Sequence, residues 1–122
     1  MANTFRMTNE ADVSTTIETL YTVQSSTTTI VLGIMLSNKS SGAIKASVQI
    51  VSTSPVGSGV SNSGASNANE TTYLIKDAPI SSASSLEIMA GNKIVMQTTD
   101  ILKAQSDTAS SLDIVISYME IT

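Results

Sequence analysis

The stretch Ala43-Ile44-Lys45-Ala46-Ser47-Val48-Gln49-Ile50 alternates between apolar and polar residues with a period of two. Successive side chains of a β-strand point to opposite faces of the sheet, so this pattern is typical of a strand with one buried face. Leu112-Asp113-Ile114-Val115-Ile116-Ser117-Tyr118 repeats the alternation near the end of the chain. Both stretches predict strands that cover one side of a hydrophobic core.

Shorter alternating runs occur at 85–89 and 93–97, and further strand candidates lie at 71–76 and 15–23. No window of 12 or more residues has apolar residues at helical spacing, and 13 Ile, 9 Val and 16 Thr supply the β-branched residues that strands favour. Turn-forming residues recur about every 8 to 14 positions, as in β-sandwiches and small barrels. The sequence therefore predicts an all-β, antiparallel β-sandwich, jelly-roll-like, of about eight short strands.

The chain has 122 residues, which fits a single domain. We predict an N-terminal arm over residues 1–12 and one β-sandwich domain over 13–122. A tract rich in Ser, Gly and Asn at 52–70 interrupts the domain and predicts a flexible surface loop. Residues 38–42 are interpreted as a five-residue hairpin loop, and Ala90-Gly91-Asn92 as a tight turn between the runs at 85–89 and 93–98.

The composition argues against catalysis. The chain contains no His, Cys or Trp, which excludes Cys/His zinc sites, Ser-His-Asp and Cys-His nucleophilic pairs and the usual haem ligands. Ten acidic residues are present, but nothing in the pattern places two of them in an apolar pocket, and no calcium-loop spacing occurs. We therefore expect no catalytic residue, no cofactor, no metal site and no enzyme activity.

The charge and hydropathy of the chain exclude two further classes of partner. A formal charge of -4 and five Lys and one Arg scattered singly do not suit a nucleic-acid binder, which needs a dense basic surface. The longest apolar run, Ile30 to Leu36, is seven residues, whereas about 20 are needed to cross a bilayer. No signal peptide is visible, so we expect a protein made without Sec export, or a mature chain.

Two strands break the simple alternation. In the run 29–36 one face would hold Ile30, Leu32, Ile34 and Leu36, and the opposite face Val31, Gly33 and Met35, which is also apolar. A strand that is apolar on both faces must be covered on its outside, either by the chain's own loop or arm, or by another copy or a neighbouring protein. The low charge favours association. The predicted interface comprises Phe5, Val31, Met35, Val115, Met119 and Ile121.

Several segments resemble small virion structural proteins of tailed bacteriophages, especially phages of cyanobacteria and other marine hosts. They are Met1-Ala-Asn-Thr-Phe, Tyr73-Leu-Ile-Lys-Asp-Ala-Pro-Ile-Ser-Ser, the stretch from Ser85 to Ala104, and Leu112-Asp-Ile-Val-Ile-Ser-Tyr-Met-Glu-Ile. The resemblance implies a non-enzymatic β-sandwich that assembles in many copies on a capsid, neck, tail or fibre. It provides no catalytic residues.

The leading hypothesis is a phage virion structural protein, most specifically a capsid decoration or cement subunit, with a neck or tail attachment protein next. Its partners would be other virion proteins and further copies of itself, a trimer by analogy, on a virion assembled in the host cytoplasm. Aspartate at Met35 or Val31 is then expected to abolish assembly while the β circular dichroism persists. The alternative is a carbohydrate- or receptor-binding module that uses the 52–70 loop.

Overall fold

The computed structural model describes residues 2–53 and 70–122, and within these ranges the chain forms nine β-strands and no helix. The strands are β1 (Asn3–Glu10), β2 (Glu18–Thr22), β3 (Thr28–Asn38), β4 (Ile44–Ser52), β5 (Glu70–Ile80), β6 (Ser85–Glu87), β7 (Ile94–Met96), β8 (Ile101–Ser106) and β9 (Leu112–Ile121). The segment predicted as an N-terminal arm contains β1, which pairs along its whole length with β9.

The strands form two antiparallel sheets, which we call sheet A and sheet B. Sheet A has the order β1-β9-β3, with β6 and β7 both paired to the far side of β3; sheet B has the order β2-β8-β4-β5. When β6 and β7 are counted as one interrupted strand, each sheet has four strands and most connections cross between sheets. This is the connectivity of a jelly roll. The predicted all-β antiparallel sandwich in one domain is confirmed.

The predicted hairpin at 38–42 is wrong, because this segment carries the chain from β3 in sheet A to β4 in sheet B. Alternation shows which face of a strand is buried but not which strand is its neighbour. Asn38, only 1% exposed, holds the crossing together. Its amide nitrogen donates to the carbonyl oxygens of Gly42 (2.9 Å) and Ile80 (3.0 Å), and its Oδ1 accepts from the Ser40 N–H (2.9 Å).

The runs at 85–89 and 93–98 are joined by a turn, as expected, but their strands pair with β3 rather than with each other. Ala90 (φ 51°) and Gly91 (φ 83°) adopt left-handed backbone conformations, and the Asn92 N–H donates to the Met89 carbonyl oxygen at 2.9 Å. The turn therefore interrupts one edge of sheet A instead of forming a hairpin.

A β-bulge in β3 decides which of its side chains reach the core. Val31 lies opposite Tyr118 and Gly33 opposite Ser117, so Leu32 is the extra residue. A bulge shifts the alternation by one position. As a result Val31, like Ile34, points into the core, whereas Leu32, expected to share a face with Ile34, is only half-buried.

The core lies between the two sheets and is built from aliphatic side chains. Ile34, Leu36, Leu112, Ile114 and Ile116 come from sheet A, and each is at most 1% exposed. Sheet B contributes Ala46, Val48, Leu102 and Ala104, none of which is exposed. Each sheet therefore fills the core with one face and leaves its other face outside.

Candidate assembly surface

The outer face of sheet A carries most of the exposed apolar side chains. Six large hydrophobic residues are strongly exposed among residues 2–53 and 70–122, and five of them lie on this face: Phe5 (73%), Met7 (61%), Val95 (57%), Met35 (46%) and Val115 (42%). Half-buried Ile30, Met119 and Ile121 lie between them. We call these eight residues the apolar face.

The strand register arranges the apolar face in rows, because residues that oppose each other in antiparallel strands point to the same side. One row crosses four strands and consists of Phe5, Met119, Ile30 and Val95. A second row contains Val115 and Met35. Ser117 and Gly33 form a row between them, and Met7 of β1 continues this row opposite Ser117.

Five of the six residues predicted as an interface are brought together on this face. Phe5, Met35 and Val115 are strongly exposed, and Met119 and Ile121 are half-buried. Val31 is not part of it, because the bulge turns its side chain into the core, where it is 1% exposed.

Sequence reasoning missed Met7, Ile30 and Val95. Met7 follows Phe5 with the spacing of two that places both residues on one side of a strand. This signal was available in the sequence, but it becomes meaningful only once the segment is known to be a strand. Ile30 was assigned to the wrong face because the sequence does not show the bulge in β3. Val95 belongs to the apolar face because β7 pairs with β3 and extends sheet A.

β1 is apolar on its outer side and polar on its inner side, the reverse of an ordinary sandwich strand. On the inner side the Arg6 Nε donates to Glu120 Oε1 at 2.6 Å, and the Tyr21 hydroxyl donates to Glu120 Oε2 at 2.7 Å. Tyr21 also lies 2.7 Å from the Thr29 hydroxyl. Burial raises the pKa of Tyr21, and the hydrogen bond to Glu120 raises it further, so the phenol stays protonated as a donor. This part-buried network connects β1 to β9 and, through Tyr21, to β2 of sheet B.

Charged groups lie at the rim of the apolar face. Lys39 forms ion pairs with Asp12 and Asp113, the latter at 2.9 Å. These hydrogen bonds raise the pKa of Lys39, and Lys39 lowers the pKa of Asp113. On the β6 side, Glu87 accepts from the Met89 N–H at 2.7 Å. An apolar centre with a polar rim is the usual anatomy of a protein interface.

The outer face of sheet B has the opposite character. Lys45, Lys103 and Gln105 project from its two central strands, and the buried side chains of Ser47 and Gln49 lie on the same side. A shallow pocket of about 140 Å³ lies there, lined by polar side chains: Thr15, Lys45, Ser47, Asp77, Gln105, Ser106 and Asp107. Asp107 accepts from the Lys45 N–H at 2.9 Å, which lowers the pKa of its carboxyl group. The Ser47 hydroxyl likewise accepts from the Asp77 N–H at 2.9 Å.

Several carboxylates accept backbone hydrogen bonds. The two carboxylate oxygens of Asp100, for example, accept from the N–H groups of Thr53 (3.0 Å) and Gln97 (2.9 Å).

Residues 2–53 and 70–122 contain no group of three or more acidic side chains placed to hold a metal ion. In the same ranges no helix is long and apolar enough to cross a membrane. The alternative binding loop, 52–70, lies almost entirely outside the described residues.

No family model matches the chain, and no curated protein matches it. Three solved structures show a similar β fold at low identity. Bacillus endospore appendages, described as disulfide-linked pili, match at 15% identity with a TM-score of 0.49, covering 99% of this chain and 87% of that one. VP2 of the infectious bursal disease virus subviral particle matches at 11% identity and a TM-score of 0.49, covering 97% of this chain.

The third structure is a pentameric capsid protein from metagenomic phage sequences, at 16% identity and a TM-score of 0.37, covering 93% of this chain and 59% of that one. This chain spans only 32% of the VP2 chain. These three neighbours are β proteins of viral capsids and of a pilus. With TM-scores below 0.5, the function of the chain has to be inferred from its own surfaces.

Proposed function

We propose that the chain is a non-enzymatic structural subunit that assembles through the apolar face of sheet A. The single observation that carries the proposal is the concentration of five of the six strongly exposed large hydrophobic residues of the described chain on that one face. Monomeric proteins rarely expose a contiguous apolar patch of more than a few hundred Å², and larger patches mark interaction sites.

The position of the hydrophobic residues argues for assembly rather than for incomplete packing. The residues come from β1, β3, β7 and β9, and the ladder register brings them together. The core beneath them is already filled by the opposite faces of the same strands. Covering the apolar face therefore requires something outside the described residues, and the occupant we propose is other protein subunits.

The specific form of the proposal is a virion protein of a tailed phage, a capsid decoration or cement subunit, or else a neck or tail attachment protein. This identification rests on the sequence resemblance described above. A subunit repeated over a symmetric particle needs only weak individual contacts, because many copies bind together. The absence of His and Cys and the structural use of carboxylates such as Asp100 and Asp107 support a role without catalysis.

The test compares the charge-introducing variant Met35→Asp on the apolar face with Gln105→Asp on the outer face of sheet B. Sedimentation velocity gives the mass of the unmodified protein and of both variants, and circular dichroism reports the fold. We expect the unmodified protein and Gln105→Asp to sediment as oligomers heavier than the 12.7 kDa chain, and Met35→Asp to sediment at a lower mass than either, with its β spectrum intact. Equal masses for the two variants would contradict the proposal.

The virion form of the proposal needs its own measurement. Particles of the phage that encodes the chain, purified and analysed by mass spectrometry, should contain the chain in many copies per particle. Particles that lack it should take up added unmodified protein but not Met35→Asp. A chain found only in lysates, and never in particles, would leave self-assembly standing and refute the virion location.

A further inference from the structure

The four sheet edges of the sandwich differ in how they are protected. An exposed edge strand offers unpaired backbone groups to other chains, and proteins usually block it with short strands, bulges, Pro or Lys. β6 and β7 have three residues each, and β2 has five residues with a register shift between Thr19 and Tyr21. The pairing of β5 with β4 contains two register shifts, and β5 also carries a Lys (Lys76) and a Pro (Pro79).

β1 has none of these devices. It pairs with β9 over eight consecutive residues without a register shift, and it contains no Pro, Gly or Lys. Two of its inward-side residues are charged: Arg6, which pairs with Glu120 at 2.6 Å, and Glu10 at the end of the strand. Among the described elements, β9 is the only strand that pairs with it. β1 is therefore a long, regular and unblocked edge.

The ladder shows which backbone groups of β1 remain available. Ala2 and Thr122 exchange both backbone hydrogen bonds, at 3.0 and 2.9 Å. Hydrogen-bonded and non-hydrogen-bonded pairs alternate in an antiparallel ladder, so the even-numbered residues of β1 bond to β9. The odd-numbered residues, Asn3, Phe5, Met7 and Asn9, direct their N–H and C=O groups away from β9. Phe5 and Met7 thus combine free backbone groups with exposed apolar side chains.

We propose that β1 pairs with β1 of a second copy of this chain, antiparallel about a two-fold axis, with Met7 opposite Met7. This inference deepens the proposed function and rests on it, because it names the first partner as another copy. The pairing would join the two A sheets into one continuous sheet and place two copies of the apolar face side by side.

The side chains of β1 select this register. The apolar side chains stay on one face only if odd residues oppose odd residues, which allows registers centred on Phe5, Arg6, Met7 or Thr8. Centring on Phe5 or Thr8 pairs only five residues of each β1, whereas centring on Arg6 or Met7 pairs seven. Centring on Arg6 places like charges directly opposite each other, which is destabilising. Centring on Thr8 leaves Phe5 opposite a residue beyond the end of β1.

The register centred on Met7 avoids both problems. It places Phe5 opposite Asn9 of the second copy and Arg6 opposite Thr8. The two Phe5 and two Met7 side chains then form one apolar cluster, since diagonal neighbours across a ladder lie within reach of long side chains. Arg6 lies diagonal both to Glu10 and to Arg6 of the second copy, so the apolar side chains, not the charges, favour this register.

Single cysteines test the register directly, because the chain has no cysteine of its own. In a hydrogen-bonded antiparallel pair the Cα atoms are about 5.5 Å apart, within the range that a disulfide spans. Met7→Cys is expected to form a disulfide-linked dimer under mild oxidation, whereas Phe5→Cys, far from its own counterpart in this register, stays largely uncross-linked. Preferential cross-linking of Phe5→Cys, Arg6→Cys or Thr8→Cys would overturn the register, and the absence of cross-linking in all four variants would overturn the pairing.

A proline variant separates edge pairing from packing through the apolar face. Asn9→Pro removes an outward N–H and leaves every apolar side chain and every β1–β9 hydrogen bond in place, whereas its control, Asn9→Ala, keeps the N–H. We expect Asn9→Pro to lose the dimer in sedimentation and Asn9→Ala to retain it.

The two proposals fail in different ways. If Asn9→Pro keeps the mass of the unmodified protein and Met7→Cys does not cross-link, while Met35→Asp lowers the mass, the edge pairing is wrong and the proposed function stands. If Asn9→Pro dissociates the protein and Met35→Asp does not, the edge pairing stands and the apolar face is not the assembly surface. A mass restricted to multiples of three, without dimers, contradicts the two-fold pairing and favours the predicted trimer.

Discussion

The outer face of sheet A and the outer face of sheet B belong to sheets of the same size and share one core, yet their chemistry is opposite. On sheet B, Lys45, Lys103 and Gln105 project outward, and Ser47 and Asp107 accept hydrogen bonds from backbone N–H groups. On sheet A, Phe5, Met7 and Val95 project outward and are more than half exposed. The fold does not require this difference, since either face could be polar. This difference supports the proposal that sheet A is the side that meets other proteins.

The comparison depends on the bulge in β3, and the largest expected effect tests that bulge. Val31→Asp is expected to cost more than about 4 kcal/mol of unfolding free energy, because it buries an unpaired carboxylate where Val31 is 1% exposed. Met35→Asp, four positions along the same strand but outside the core, should cost only about 1 kcal/mol, because Met35 is 46% exposed and the new carboxylate would lie opposite Glu87. Urea unfolding followed by circular dichroism measures both.

This expectation replaces the one drawn from the sequence, in which Val31 and Met35 were equivalent surface positions. A Val31→Asp variant that folds as well as Met35→Asp would return Val31 to the outer face. It would also mean that β3 continues without a bulge, and the division between core and apolar face would have to be redrawn.

The anchoring of β1 gives the next largest effect. Tyr21→Phe removes the hydroxyl that donates to Glu120 at 2.7 Å, and we expect a loss of about 2 kcal/mol, typical of a hydrogen bond to a charged group. Tyr73→Phe is the matched control on sheet B, where Tyr73 is 43% exposed, and should be nearly neutral. Thermal or urea unfolding of both variants distinguishes them.

The same variant links stability to the apolar face. Because Glu120 also holds Arg6 of β1, the amides of β1 should exchange hydrogen faster in Tyr21→Phe than in the unmodified protein. If Tyr21→Phe and Tyr73→Phe were equally stable, the network would not anchor the strand that carries Phe5 and Met7.

The fold class follows from local patterns, and the strand pairing does not. The alternation in 43–50 and 112–118 places Ile44, Ala46, Ile114 and Ile116 in the core, where they lie. Residues 38–42 are a polar loop in the sequence whether they close a hairpin or cross between sheets. The crossing depends on contacts from Asn38 to Ile80, 42 residues away, which no local pattern contains.

The apolar face could be predicted only in part, because local alternation identifies some of its residues while others depend on the bulge and on strand pairing. Met35 and Val115 were identified because each lies behind a core-facing residue in an otherwise alternating strand. Val31 was assigned wrongly because a one-residue shift exchanges the faces of a strand, and nothing in a run of aliphatic residues marks where the shift occurs. Val95 joins the face only through the pairing of β7 with β3.

The smallest expected effect compares one carboxylate from each side of the molecule. Asp107, beside the polar pocket of sheet B, has its pKa lowered mainly by the backbone hydrogen bond from Lys45; Asp113, at the rim of the apolar face, has its pKa lowered mainly by Lys39. In both cases the folded pKa lies below the ordinary value of 3.8, so the ionised carboxylate stabilises the fold at neutral pH. That stability is lost as the pH falls from this value through the folded pKa.

Asp107→Asn and Asp113→Asn should each reduce the loss of stability on acidification by less than about 1 kcal/mol, because solvent screens both groups. High salt concentration distinguishes the contribution of Asp113 from that of Asp107. The pairing of Asp113 with Lys39 is between exposed charges and weakens in 1 M salt, where the Debye length falls to about 3 Å, whereas the hydrogen bond from the Lys45 N–H to Asp107 persists. The pH dependence removed by Asp113→Asn should therefore shrink in salt and that removed by Asp107→Asn should not. If salt reduced the pH dependence removed by the two substitutions equally, both carboxylates would stabilise the fold through charge alone. The backbone hydrogen bond from Lys45 to Asp107 would then contribute little to the stability of sheet B.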